Sequence, residues 1–153
     1  MDALDSTDIR LLGALQKNAQ LTTHELGEKL GLSASQTGRR RQRLEAAGYI
    51  RHYTARLAPG HLGLDVQAFI QVQMASQVPE EAKDFLRAVR GRKEIVSAWT
   101  LTGEADYLLR VFTPDLARLN LLIHDFLLPM RAVARVQSQI VMDQPKADAG
   151  LPL

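Results

Sequence analysis

Residues 22–37 read TTHELGEKLGLSASQT, and this stretch decides the first part of the fold. Thr22 is followed three residues on by Glu25, and Ser33 by Gln36. Both pairs are in capping-box order: a hydroxyl accepts the third backbone N–H of a helix while the longer side chain returns to the cap's own N–H. Two helices are therefore predicted to start at Thr22 and Ser33, with Leu21 placed as a staple before the first. Leu26 and Leu30 face inward, and Leu32 plugs the corner between the helices. Gly27 lets the two helices approach at a steep angle, and Gly31 tolerates the left-handed conformation of a tight interhelical turn. This is the pattern of a helix-turn-helix.

Working outward, Ile9, Leu11, Leu12 and Leu15 recur at helical spacing between Asp5 and Asn18, with Asp5, Ser6 or Thr7 available as cap. The third helix runs to about Ala47, where Gly48 supplies a stop. Advancing about 100° per residue sets Thr37, Arg41 and Leu44 on one side and Ser35, Gln36, Arg39, Gln42 and Arg43 on the other, with Arg40 at the flank. Such an outer face suits the major groove of DNA, because Arg pairs guanine through two hydrogen bonds and Gln can do the same with adenine. The first turn, beginning at Ser33, also offers free N–H groups to phosphate. The expected DNA contacts are Ser33, Ser35, Gln36, Arg39, Arg40 and Arg43. An arginine-rich helix face is by itself more often a merely solvated surface; the turn residues beside it reverse that reading in favour of DNA.

Charge supports the same end of the chain. Residues 1–60 carry nine Lys/Arg against six Asp/Glu, an excess of three, whereas the remainder carries ten against eleven. With 46% hydrophobic and 24% charged residues the composition is that of a globular protein. The absence of cysteine excludes a disulfide framework, a thiolate zinc site and a thiol nucleophile. No run of about 18 apolar residues occurs, and the opening MDALDSTDIR lacks the basic-then-apolar order of a signal peptide. A cytoplasmic address and no membrane partner are expected.

Beyond the third helix, YIRHYTARL (49–57) alternates with strand period and predicts a small wing or connecting strand. APGHLG (58–63) is the linker candidate. A strand-helix-strand, strand-helix-strand order follows. The first strand covers 66–74, and a helix opened by Pro79 turns Phe85, Leu86 and Val89 inward. Strands are predicted over 95–102 and 107–112. A second helix starts at Thr113-Pro114-Asp115 with proline in its first position and the stripe Leu116, Leu119, Ile123 and Phe126, and a last strand covers 133–142. The expected fold class is α+β. A (winged) helix-turn-helix domain spans 1–57 and a linker 58–64. A ferredoxin-like βαββαβ domain for sensing and oligomerisation spans 65–143, and a flexible tail 144–153.

Several patterns together resemble the Lrp/AsnC (feast/famine) transcription regulators, over nearly the whole chain up to Lys146. They are Leu4-Asp5 with Asp8, Ile9, Leu12 and Leu15-Gln16; Leu32-Ser33 with Arg40, Arg43, Leu44-Glu45 and Gly48-Tyr49-Ile50; Leu62-Gly63-Leu64; and TGEADYLL from Thr102 to Leu109. The resemblance implies a sequence-specific DNA-binding regulator with no catalytic role and no cofactor or metal. It also implies homodimers built through the C-terminal domain, gathered into tetramers, octamers or larger discs, and an amino-acid effector between dimers near the Gly-x-x-Asp loop. The implied effector residues are Gly103, Glu104, Asp106 and Tyr107, with Ser138 at a Ser/Thr position of the last strand.

The loop chemistry is compatible. Gly103 allows a sharp turn, Glu104 and Asp106 supply carboxylates for an α-amino group, and exposed turn amides suit a carboxylate. A plain hairpin with solvated acids is the competing reading, and for Ser138 an ordinary strand serine. This chain departs from the family pattern at Arg41 and Thr37, which replace residues packed beneath the recognition helix, and at Met130-Arg131-Ala132-Val133 before the last strand. Trp99 is expected at an interface. An enzyme on the same two-domain plan, as in siroheme decarboxylases, is disfavoured because His24, His52, His61 and His124 are scattered without metal-ligand spacing.

Overall fold

The computed structural model describes residues 4–75 and 78–153, which form two compact units, 4–56 with 146–153 and 57–75 with 78–145. In the first unit, α1 (Ser6–Lys17), α2 (Thr23–Leu30) and α3 (Ala34–Ala46) pack around Leu11, Leu15, Leu26, Leu30 and Leu44. All three N-termini carry complete capping boxes, from Asp5 to Asp8, Thr22 to Glu25 and Ser33 to Gln36. Gly31 adopts φ +71° in the turn. Residues 146–153 join no regular element, as their lack of periodicity predicts, but they run beside α1. The Leu151 N–H donates to Gln16 Oε1 (2.6 Å), Gln16 Nε2 donates to the Leu151 carbonyl (3.1 Å), and Arg56 donates to the Asp148 carbonyl.

The strand predicted at 49–57 is not formed: residues 51–58 have no regular structure. A strand needs a hydrogen-bonding neighbour, and no described segment of the chain pairs with this one. Alternation alone therefore misled. The segment is held by side chains instead, through Tyr53.

The second unit begins with a short 3-10 turn, Pro59–Leu62, and continues as β1 (Val66–Met74), α4 (Pro79–Arg90), β2 (Ile95–Thr100), β3 (Tyr107–Thr113), α5 (Leu116–Leu121) and β4 (Val133–Ile140). The sheet is antiparallel, in the order β2-β3-β1-β4. This is the ferredoxin-like arrangement. Ala68, Ile70 and Val72 of β1 and Tyr107, Leu109 and Val111 of β3 point to the helix-covered side, where Phe85, Val89, Leu119, Leu122 and Leu127 complete the core. The other face carries Gln67, Phe69, Gln71, Gln73, Leu108, Arg110 and Phe112, none fully buried.

The second helix differs from expectation in two ways. It begins at Leu116 instead of Pro114, because the Asp115 side chain accepts the Arg118 N–H at 2.7 Å and so acts as N-cap. It then widens into a π-helical turn, Leu122–Leu127. The wider turn rotates the buried stripe, so Leu119, Leu122 and Leu127 are buried while Leu116 is exposed and Ile123 and Phe126 are only partly covered.

Candidate DNA-binding face and effector hollow

In α3, Thr37 is fully buried, and its hydroxyl donates to the Ser33 carbonyl one turn back (3.0 Å). That bond satisfies the hydroxyl inside the core. Arg41 settles its unusual position by lying flat. Its guanidinium stacks 4.8 Å from the Tyr53 ring centroid, and its Nε donates to Glu45 Oε1 (3.0 Å) and to the Tyr53 hydroxyl (3.1 Å). The Tyr53 hydroxyl also donates to Glu45 (2.7 Å). That hydroxyl first, and Arg41 second, hold the Glu45 carboxyl below its usual range.

The residues expected to touch DNA divide into three groups. Ser33 and Gln36 are exposed but committed to the capping box, with the Ser33 N–H on Gln36 Oε1 (3.1 Å). Arg40 and Arg43 reach back to α1: Arg40 Nη1 lies 2.7 Å from Asp5 Oδ2 and 2.8 Å from Asp8 Oδ1, and Arg43 Nη2 donates to Asp8 Oδ2. Asp8 is only 1% exposed, so its charge is balanced by both arginines. Ser35 and Arg39 are exposed, as is Gln42 on the same face, and Arg39 has no ion pair or side-chain hydrogen bond among the described residues. The two α1 carboxylates were not assigned this role from sequence. The signal was present, because Asp8 lies on the same helical stripe as Leu11 and Leu15, and a charge on a buried stripe needs a partner.

In the second unit, Gly103 adopts φ +117° in the β2–β3 turn. Asp106 ties that turn to the end of β1: its Oδ2 accepts the Met74 N–H (2.7 Å), its own N–H donates to the Val72 carbonyl (3.0 Å), and its carbonyl accepts the Leu101 N–H (2.9 Å). One carboxylate oxygen of Asp106 is therefore structural. Glu104 is 84% exposed and 3.6 Å from Arg135 Nη1. Tyr107 belongs to the core, its ring 5.0 Å from that of Phe85. Gly103, Glu104, Asp106 and Tyr107 nonetheless line one hollow of about 500 Å3 together with Gln73, Met74, Ala75, Ala82 and Thr100. Ser138 lies elsewhere, opposite Ile70 on the edge strand β4, and lines no part of that hollow. Among the described residues no group of three or more His, Asp or Glu could hold a metal ion, and no helix is long and apolar enough to cross a membrane.

Residues 4–45 match the AsnC-type helix-turn-helix domain and residues 67–151 the Lrp/AsnC ligand binding domain. The leucine-responsive regulatory protein of Escherichia coli is 32% identical over 143 residues, covering 94% of this chain and 87% of its own. A transcriptional regulator of Neisseria meningitidis, solved as its complex with L-methionine, is 40% identical with a TM-score of 0.94, covering 98% of this chain and 97% of its own. The feast or famine regulatory protein of Mycobacterium tuberculosis, also complexed with L-methionine, is 28% identical with a TM-score of 0.85, covering 95% and 97%. With both halves of the fold matched and relatives aligned almost end to end, the chain belongs to the Lrp/AsnC family of transcription regulators.

Proposed function

We propose that this regulator reads DNA with the exposed face of α3 and answers to a small amino acid held at the hollow beside Gly103. The observation that carries the first half is the outward display of Ser35, Arg39 and Gln42 next to a capped helix start. Arg39 is the base-reading candidate because nothing in its own unit competes for its fork. Arg40 and Arg43, already paired to α1, are assigned to the phosphate backbone, with Ser33 and Gln36 presenting the first-turn N–H groups.

The second half is supported by the hollow's mixture of apolar wall, carboxylates and turn amides, and by the two relatives crystallised with methionine. The ammonium of the effector is placed at Glu104 and at the Asp106 oxygen left over from the Met74 bond. Ser138 is retained only as a contact supplied from a second subunit, since within one chain it does not line the hollow. Assembly into homodimers, and of these into tetramers or octamers, is supported by the uncovered sheet face with Phe69, Leu108, Phe112 and a 44% exposed Trp99. The linker is placed at 58–64 and the site of action in the cytoplasm, where the DNA is.

The test is fluorescence anisotropy on a cognate duplex. Arg39→Ala is expected to weaken specific binding by about 1–3 kcal/mol while leaving non-specific binding nearly unchanged, as for the loss of a bidentate base contact. Equal weakening on every sequence would move Arg39 to the backbone; unchanged binding would remove it from the interface.

A further inference from the structure

Arg39, Arg40 and Arg43 line one shallow hollow of about 320 Å3 with Leu32 and Gln36. Arg40 and Arg43, the two arginines assigned to the backbone, make this hollow a seat for an anion, and on a helix that faces DNA that anion is a backbone phosphate. Two carboxylates from α1 already sit against these arginines, and they differ in kind. Asp8 is buried and shares itself between Arg40 and Arg43, so it fixes where the two forks lie. Asp5 is half exposed, with its side chain at 49%.

The two oxygens of Asp5 have separate tasks. Oδ1 accepts the Asp8 N–H at 2.7 Å and so caps α1. Oδ2 lies 2.7 Å from Arg40 Nη1. The cap needs only one acceptor, which a hydroxyl supplies equally well. An exposed ion pair adds little to folding. Beyond the modest stabilisation a negative charge gives a helix N-terminus, the fold asks little of this charge, while its geometry reproduces the way a guanidinium holds a phosphate oxygen.

We infer that the Asp5 carboxylate is an internal stand-in for a DNA phosphate. It occupies Arg40 in the free protein and has to yield to the phosphate that enters the seat. It thereby holds DNA affinity below what the arginines alone would give, and it does so for every sequence alike, because phosphate contacts position the protein without reading bases. Asp8 positions Arg40; Asp5 offsets its charge. The inference rests on the reading of α3 as the groove helix.

The experiment is a salt titration of DNA binding by the full chain carrying Asp5→Ser, which keeps the N-cap and removes the charge, with Asp5→Asn as a second variant should the first lose helix by circular dichroism. Affinity for cognate and random duplexes is expected to rise together, by roughly two- to fivefold for one freed surface charge. The slope of log K against log salt is expected to steepen by up to about 0.9, because the displaced Asp5 carboxylate no longer leaves a negative charge beside the phosphate. Adding Arg40→Ala to Asp5→Ser should abolish both changes. A folded Asp5 variant whose affinity or salt slope is unchanged or reduced overturns the inference. That outcome alongside a damaging Arg39→Ala would leave the groove assignment standing, whereas an Arg39→Ala variant that binds normally would remove the groove assignment itself.

Discussion

Replacing Gly27 with alanine is expected to destabilise the helix-turn-helix unit by about 2–3 kcal/mol, the upper range for overpacking, and to remove most DNA binding near that unit's melting temperature. A Cβ on Gly27 would stand 2.6 Å from the Leu32 carbonyl oxygen and 3.4 Å from Thr37 Oγ1. The first of these is backbone and has no rotamer by which to withdraw. It is also pinned from the other side, since the Leu32 N–H donates to the Gly27 carbonyl at 3.0 Å. The start of α3 must then shift, with Ser33 and the recognition face that follows it. Because the chain comprises two units, unfolding is best followed by two probes. The only tryptophan, Trp99, lies in β2 of the second unit. Its fluorescence transition in urea should stay in place while the helical transition by circular dichroism moves to lower urea. Coincident movement of both would contradict independent units.

Phe85→Ala is the complementary case. Phe85 is 2% exposed and packs on Tyr107 between α4 and the sheet. Its truncation leaves a ring-sized void that neighbouring strands cannot close, with an expected cost of about 3–5 kcal/mol. Here the Trp99 transition should move and DNA binding by the first unit should persist. Tyr107 also lines the Gly103 hollow, so effector binding should weaken along with the core. A Phe85→Ala protein whose tryptophan transition is unshifted would contradict the packing described.

The elements whose residues state their own geometry were legible from sequence. Two capping boxes set the starts of α2 and α3, the cap of α1 is narrowed to Asp5, Ser6 or Thr7, and Val66–Met74 alternates without interruption because one face of β1 is packed and the other is not. What was illegible depends on partners distant in sequence. Alternation at 49–57 implied a strand, yet no described segment pairs with its backbone. The π turn at Leu122–Leu127 shifts the buried stripe away from regular helical spacing, and no local signal announces it. Arg40 and Arg43 were read as DNA contacts from their place on α3, whereas their first partners are Asp5 and Asp8, more than 30 residues earlier. At the effector loop the residue types were legible, but the division of labour was not. Asp106 proved to be a strand-end clamp as much as a ligand candidate, and Tyr107 a core ring.

The central claim is that one chain couples DNA held by α3 to an amino acid held beside Gly103, and linkage makes that claim measurable in both directions. DNA affinity of the full chain should be measured by anisotropy as L-methionine, and then each other amino acid, is raised to saturation, with Asp106→Ala in parallel. For at least one amino acid the account predicts a saturable change in DNA affinity, an equal change in that ligand's affinity when DNA is bound, and loss of both in Asp106→Ala protein that still folds. DNA affinity indifferent to every amino acid, or an effect that Asp106→Ala leaves intact, would contradict it.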